Sequence, residues 1–343
     1  MADHIPAGVK AELTLGPARA AAIAARFRAA MAAGLAGSPS PLKMLPSFLP
    51  RPTGREEGRF LVLDFGGTNV RVQLVELCGH GRWLVRRQSA VPLKDPADGY
   101  DYTAATATAE ELFDFLAGQI AGLAAGDAYL LGHTFSFPCR QQDVNRAVPI
   151  NWTKEIATAG VEGREIGVLL QAALARRGLD RIRPCAIIND TVATLLAAAY
   201  ADPSADIGAI CGTGHNTCYY DCRRAMVINM ESGNFDALPF TRYDRRLDAA
   251  SERPGAQRLE KMVAGRYLGE LARLIAADLG EEVPDSLTAE ALAGWLAEPG
   301  GRRRDIARLV VERAARLVAA SFLGVLAHID PGRENRHTIA VDG

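Results

Sequence analysis

The sequence FLVLDFGGTNVRVQLV at positions 60–75 decides the fold of this chain. A second stretch, IGAICGTGHNTCYY at positions 207–220, has the same layout. In each, an apolar run enters a short turn that contains a Gly-Thr pair, and alternating residues follow, so each stretch predicts a β-hairpin. Glycine lets backbone N–H groups approach a phosphate, and threonine adds a hydroxyl. Two such turns in one chain indicate a nucleotide held by two related domains.

Strands alternate with helices along the rest of the chain, which predicts an α/β protein. Hairpins at both turns mean mixed sheets, unlike the strand-turn-helix phosphate loop of P-loop enzymes. A Gly-x-Gly-x-x-Gly turn after a strand is missing, so we do not expect dinucleotide binding. Apolar residues at helical spacing predict helices over 17–35, 104–123, 165–177, 194–200, 257–279 and 305–329. Alternation or apolar runs predict further strands at 83–92, 129–137, 185–188 and 338–341.

Composition excludes several classes of partner. The formal net charge is −1 and aromatic residues make up 6%, which argues against nucleic acid. Arginines interrupt the alanine-rich stretch 17–35, and the N-terminus has no signal-peptide layout, so we expect no membrane span and a cytoplasmic protein. Six cysteines in 343 residues do not form a disulfide framework. We interpret Cys211 and Cys218 as small apolar core residues.

Asp190 is the leading candidate for chemistry, because it follows an apolar strand at the position where α/β sites assemble. Its carboxylate can accept a proton from a hydroxyl that attacks a phosphate, or it can cap the next helix, and position alone does not decide between the two. His215, in the second turn, has either a ligand contact or a local structural role, and we favour the structural role. Amides, hydroxyls and carboxylates elsewhere suit a polyol substrate.

Seven ordered motifs resemble the hexokinase family, of the eukaryotic hexokinase and glucokinase kind. They are LKMLP at 42–46, LDFGGTNVR at 63–71, TFSFP at 134–138, NWTK at 151–154, NDTVAT at 189–194, GTGHN at 212–216 and PGAQRLEKM at 254–262. The resemblance covers nearly the whole chain. It implies ATP-dependent phosphorylation of a hexose at its 6-hydroxyl, with glucose as the expected hexose and Mg²⁺ as cofactor.

The resemblance also implies a two-lobed actin-like ATPase (ribonuclease H-like) fold with mixed sheets and a central cleft. We expect an N-terminal helix and linker at 1–50 that pack on the large lobe. The small lobe, with the first phosphate turn, takes 51–189, and the large lobe, with the second, takes 190–343.

Site residues carry over by matched position. Asp190 is the implied base, and Lys154 offsets charge on the transferred group. Asp64 is the implied residue that helps to hold Mg²⁺, through water. The implied sugar ligands are Ser136, Phe137, Thr153, Lys154, Asn189, Asp190, Asn216, Glu231 and Glu260. The implied nucleotide contacts are Asp64, Gly66, Gly67, Thr68, Asn69, Arg71, Gly212, Thr213, Gly214, Gly265 and Arg266.

The chain departs from the family pattern in two places. Ser232 stands where the family usually has Trp, so we expect altered packing of the sugar pocket. The chain ends at Gly343, where family members continue with segments that help to enclose adenosine, so we expect C-terminal elements to be missing. This ending motivates the alternative of a catalytically weak or inactive sugar-binding or sensor protein. The sequence leaves the preferred hexose and the oligomeric state unknown.

Overall fold

The computed structural model of the chain describes residues 4–124, 126–152 and 156–343. Its helices are α1 Ala7–Leu13, α2 Pro17–Leu35, α3 Ala109–Ala124, α4 Ile166–Arg176, α5 Asp190–Ala201, α6 Arg242–Ala250, α7 Arg258–Val263, α8 Gly265–Asp278, α9 Ala289–Ala297 and α10 Arg302–Ile329. Its strands are β1 Leu45–Pro46, β2 Glu57–Phe65, β3 Asn69–Cys78, β4 Trp83–Pro92, β5 Lys94–Asp95, β6 Tyr100–Asp101, β7 Tyr129–Phe135, β8 Cys139–Asp143, β9 Arg146–Pro149, β10 Ile182–Ile188, β11 Ala205–Cys211, β12 His215–Asp221, β13 Met226–Asn229 and β14 Thr338–Asp342.

The chain divides into two compact units. Unit 1 contains the residues up to Met44, Ile207–Tyr219 and Met230–Gly343, and unit 2 contains Leu45–Asp206 and Tyr220–Asn229. The lobe boundaries expected at 50/51 and 189/190 stay a prediction.

Unit 2 is built on a five-stranded sheet with the order β10-β7-β2-β3-β4. Its first three strands run parallel, and β3 and β4 are antiparallel to their neighbours. Leu112, Leu116 and Ile120 of α3 recur every fourth residue and are fully buried, so one face of this helix packs into the core. The predicted mixed sheet and the first hairpin are therefore confirmed.

Unit 1 holds the second hairpin, in which β11 and β12 pair antiparallel and Cys211 lies opposite His215. β14 lies on the other side of β11. Cys218 is buried, as predicted, but Cys211 is exposed, so its assignment to the core was wrong. Cys211 is the last residue of β11, next to the glycine turn, where burial falls from the fully buried Ala209 to the exposed Cys211.

The helix predicted over 257–279 is two helices, α7 and α8, separated at Ala264. Ala264 has an extended backbone with ψ of 145°. This break directs the N–H of Gly265 to the carbonyl of Gly212, at 2.8 Å. Apolar periodicity cannot reveal such a break, because the hydrogen bond that stabilises it comes from a distant turn.

Helix α2 buries Ile23, Phe27 and Met31, which recur every fourth residue on one face, while its arginines stay exposed. Among the helices in the described part of the chain, none combines the length and the apolar character that crossing a bilayer requires.

His133 on β7 is fully buried in unit 2, and burial lowers its pKa to about 3. In the unfolded chain the His133 imidazole is protonated below about pH 6.5, whereas in the folded chain it stays neutral down to about pH 3. Its contribution to the free energy of unfolding is therefore complete above pH 6.5 and is lost as the pH falls towards 3. We expect His133→Leu to flatten the fall of unfolding free energy between pH 6 and pH 4 by up to about 1.4 kcal/mol per pH unit. Urea titrations at several pH values measure this slope. His4 is exposed, so the control variant His4→Gln should keep the wild-type slope. A wild-type slope in His133→Leu would contradict the expectation.

Candidate active site

The carboxyl ends of three parallel strands gather the unit 2 candidates at one edge of the sheet. Thr134 of β7 lies opposite both Asp64 of β2 and Ile188 of β10. The residues that follow these strands therefore leave the sheet side by side, and the N–H of Ser136 donates to the carbonyl of Phe65 at 3.3 Å. This edge is where ligands bind in open α/β sheets.

Asp190 is the first residue of α5, and Asn189 is the N-cap. The Asn189 side chain accepts a hydrogen bond from the N–H of Thr191 at 2.9 Å. Asp190 Oδ1 accepts from the same N–H at 2.7 Å. The helix thus begins at Asp190, four residues before the predicted start at 194, with Asn189 as its cap. Asp190 is half-buried at the sheet edge, and its Oδ1 shares the N–H of Thr191 with the Asn189 cap.

The first glycine turn follows β2 directly. The Gly66 N–H donates to the carbonyl of Asn69 at 3.3 Å, which closes the turn, and Thr68 and Asn69 are exposed. Asp64 is 40% exposed, and Arg71, its partner in the hairpin register, has its Nη1 3.9 Å from Asp64 Oδ2. An accessible carboxylate thus lies beside an exposed turn that contains a threonine hydroxyl.

Ser136 and Phe137 are both buried. The Phe137 ring packs against Trp152 at a centroid distance of 4.9 Å and against Phe65 at 5.3 Å. The Phe137 side chain is therefore part of the core of unit 2, which stabilises the segment that carries Ser136. Thr153 and Lys154 lie outside the described residues.

The second glycine turn, in unit 1, is fixed by the start of α8. The Gly212 N–H donates to the carbonyl of Gly214 at 3.1 Å. The Gly265 N–H donates to Gly212, as described above, and the Arg266 N–H donates to the carbonyl of Thr213 at 3.3 Å. The Arg266 guanidinium itself pairs with Glu252 at 2.6 Å. Gly265 and Arg266 thus support the turn through their backbone.

Glu260 lies against this turn, and its Oε2 accepts the N–H of His215 at 2.9 Å. A β-carbon on Gly214 would approach this oxygen to 3.1 Å, so the glycine allows the close contact. His215 is buried with Nδ1 3.1 Å from the Ile210 carbonyl, and burial lowers its pKa to about 4. His215 is therefore a neutral structural residue of the hairpin.

Asn216 and Glu231 are linked through Ser232. Asn216 Oδ1 accepts the N–H of Ser232 at 3.1 Å, and Ser232 is fully buried with its hydroxyl 3.1 Å from that of Thr217. Glu231 has a left-handed backbone, with φ of 53°. The buried Ser232 thus ties the residue next to Glu231 to Asn216 and Thr217 of β12.

Sequence reasoning overlooked Gln257, whose backbone is also left-handed, with φ of 51°. Non-glycine residues in this region are strained and often mark functional sites. Gln257 packs on Gly233, where an added β-carbon would meet its Oε1 at 2.7 Å. Gln257 lies inside the motif at 254–262, but the sequence analysis placed it in a helix starting at 257 and so did not predict its left-handed backbone.

Asp64 of unit 2 is the described carboxylate that fits a magnesium ion shared with a substrate phosphate. The described residues contain no group of three or more His, Cys, Asp or Glu side chains that could hold a metal. Mg²⁺ is usually held by one or two carboxylates together with substrate phosphates and water. The half-exposed Asp64 carboxylate beside the first turn meets this requirement.

Two family models, both described as hexokinase, match residues 7–200 and 206–301. The chain belongs to the hexokinase family. Hexokinase-7 of Oryza sativa subsp. japonica is 34% identical over 408 aligned residues, which cover 100% of this chain and 87% of that protein. Human hexokinase-3 is 40% identical over 295 residues, which cover 78% of this chain and only 31% of the human protein.

Solved hexokinase structures share the fold. One crystal structure of a hexokinase superposes with a TM-score of 0.88 at 32% identity and covers 98% of this chain and 88% of its own. Hexokinase from Schistosoma mansoni in complex with glucose superposes with a TM-score of 0.81 at 29% identity, covering 98% and 87%. The family and the α/β fold predicted from the seven motifs are confirmed.

Proposed function

We propose that this hexokinase-family chain transfers the γ-phosphoryl group of ATP to the 6-hydroxyl of a hexose. The observation that carries the proposal is the shared sheet edge of unit 2, where Asp64 lies at the end of β2, and Ser136 and Asp190 come after the adjacent parallel strands β7 and β10. A carboxylate, a hydroxyl and a second carboxylate beside a glycine turn suit phosphoryl transfer to a polyol.

Asp190 is the proposed base for the attacking hydroxyl, and its half-buried place at the sheet edge, with Asn189 as the N-cap of the helix, supports this role. Phosphoryl transfer depends on positioning and on neutralising charge, since the protein does little covalent work. The two glycine turns are proposed to bind phosphates, and Lys154 is proposed to offset their charge. When bound, Mg²⁺ would neutralise phosphate oxygens, with Asp64 and water among its ligands.

The sugar-binding residues are proposed to be Ser136, Asn189 and Asp190 in unit 2 and Asn216, Glu231 and Glu260 in unit 1, together with Thr153 and Lys154, which follow Trp152 in the sequence. Hydrogen bonds and packing hold the described segments that carry the first six residues, which supports their assignment. Phe137 is proposed to contribute through its backbone. Glucose is the proposed hexose, and the cytoplasm remains the predicted compartment.

Hexose-dependent release of ADP tests the proposal. Purified protein with ATP, Mg²⁺ and glucose should release ADP, and 6-deoxyglucose should support no release above the rate without sugar, because it lacks the acceptor hydroxyl. Calorimetric binding of glucose without any turnover would instead support the sensor alternative and contradict the proposal. Equal ADP release with both sugars would indicate hydrolysis rather than transfer.

A further inference from the structure

A basic pocket of about 740 Å³ lies on unit 1, lined by α1, α2 and the start of α6. We propose that this pocket binds a small multivalent anion of the organic-phosphate class. Four arginines line it, Arg19 and Arg26 from α2 and Arg242 and Arg245 from α6, against the single carboxylate of Glu12. None of its lining residues belongs to the proposed active site.

Helix geometry explains why the arginines converge. Arg19 and Arg26 are seven residues apart, so they lie on one face of α2 about 10 Å from each other along its axis. Ile23 lies between them on the same face and is buried at the base of the pocket. Arg242 and Arg245 are three residues apart and share a face in the first turn of α6.

Most of this positive charge is not neutralised by the protein. Arg242 is held in place, with Nη2 donating to the Tyr243 hydroxyl at 2.8 Å and lying 3.6 Å from Asp278. Within residues 4–124, 126–152 and 156–343, no carboxylate forms an ion pair with Arg19, Arg26 or Arg245. Gathered like charges repel each other, and a multivalent anion would remove this repulsion.

The rest of the lining favours a small molecule. The volume lies in the range of small-ligand sites, and guanidinium groups match phosphate oxygens in a bidentate geometry. The half-buried Phe240 side chain adds apolar surface to the lining of the pocket.

Pyrophosphate is the probe for the experiment, with chloride at matched ionic strength as the reference. Binding is measured by calorimetry on the wild type, on Arg26→Gln/Arg245→Gln, and on Arg28→Gln. Arg28 is an exposed arginine of α2 outside the pocket, so its variant is the matched control. We expect the double variant to bind about tenfold or more weakly than the wild type, and Arg28→Gln to bind as the wild type does.

Any binding of pyrophosphate at the proposed active site is common to all three proteins, so the difference between them reports on the pocket. Equal affinity in the three proteins, or no binding to the wild type at millimolar pyrophosphate, would overturn the proposal. Inorganic phosphate and a sugar phosphate, tested next, distinguish recognition of charge alone from recognition of an organic body. This binding does not require turnover, so failure of the kinase assay would leave the result interpretable.

Discussion

Replacing Asp190 by Asn should lower kcat for hexose phosphorylation by about 10²- to 10⁴-fold, the range contributed by general acid–base groups. Asparagine has nearly the same shape but does not accept a proton from the attacking hydroxyl. The helix should persist, because Asn189 provides its N-cap and an amide oxygen can still accept the N–H of Thr191. Steady-state rates with saturating ATP and glucose, together with calorimetric glucose binding, measure the effect.

Asp180→Asn is the matched control, since Asp180 is an exposed aspartate of the same unit. This variant should turn over at the wild-type rate. If Asp190→Asn were equally active, Asp190 would not be the base. If Asp190→Asn lost both its activity and the circular dichroism spectrum of the folded protein, the variant would simply be unfolded. Calorimetric glucose binding at the wild-type level would show that the variant is folded.

Replacing Arg313 by Met should reduce the free energy of unfolding by about 3–5 kcal/mol, because it leaves a buried carboxylate without its counter-ion. Arg313 of α10 donates to both oxygens of Asp244, at 2.9 and 2.7 Å, and each side chain is 3% exposed. Asp244 also accepts the N–H and hydroxyl of Thr241, so the same carboxylate forms the capping box of α6. Urea denaturation followed by circular dichroism measures the change.

Arg308 of α10 is the control position. Its Nε lies 3.6 Å from Glu312, but both side chains are largely exposed, at 59% and 49%. Exposed pairs contribute about 0–1 kcal/mol, so Arg308→Met should unfold close to the wild type. A loss in Arg313→Met no larger than that in Arg308→Met would show that Asp244 is stabilised without its arginine.

The sequence predicted those helices and strands whose formation depends on the periodicity of their own apolar residues. The alternation around both glycine turns predicted the hairpins, and β4 at Trp83–Pro92 and α2 at Pro17–Leu35 have the predicted bounds. The break at Ala264 was not predictable, because it is stabilised by the distant carbonyl of Gly212.

The candidate site was predictable in its residues but not in its geometry. The motifs named Asp64, Ser136 and Asp190, yet only the pairing of β2, β7 and β10 puts them at one edge. Sequence also left open whether Asp190 caps its helix, since Asn189 and Asp190 are both good capping residues. The backbone decides this question in favour of Asn189.

The basic pocket had no sequence signal. Arg19 and Arg26 are far along the chain from Arg242 and Arg245, and each pair alone is typical of a solvated helix face. Only the packing of α2 near α6 gathers the four charges.

Identification of the phosphorylated carbon tests whether the phosphoryl group goes to the 6-hydroxyl of glucose. Glucose labelled with ¹³C is incubated with ATP, Mg²⁺ and the protein, and the products are examined by ¹³C and ³¹P NMR. Phosphorus coupling at carbon 6, with one ADP formed per phosphorylated sugar, is the predicted result. Unmodified glucose with inorganic phosphate, or a phosphate on another hydroxyl, would contradict the account.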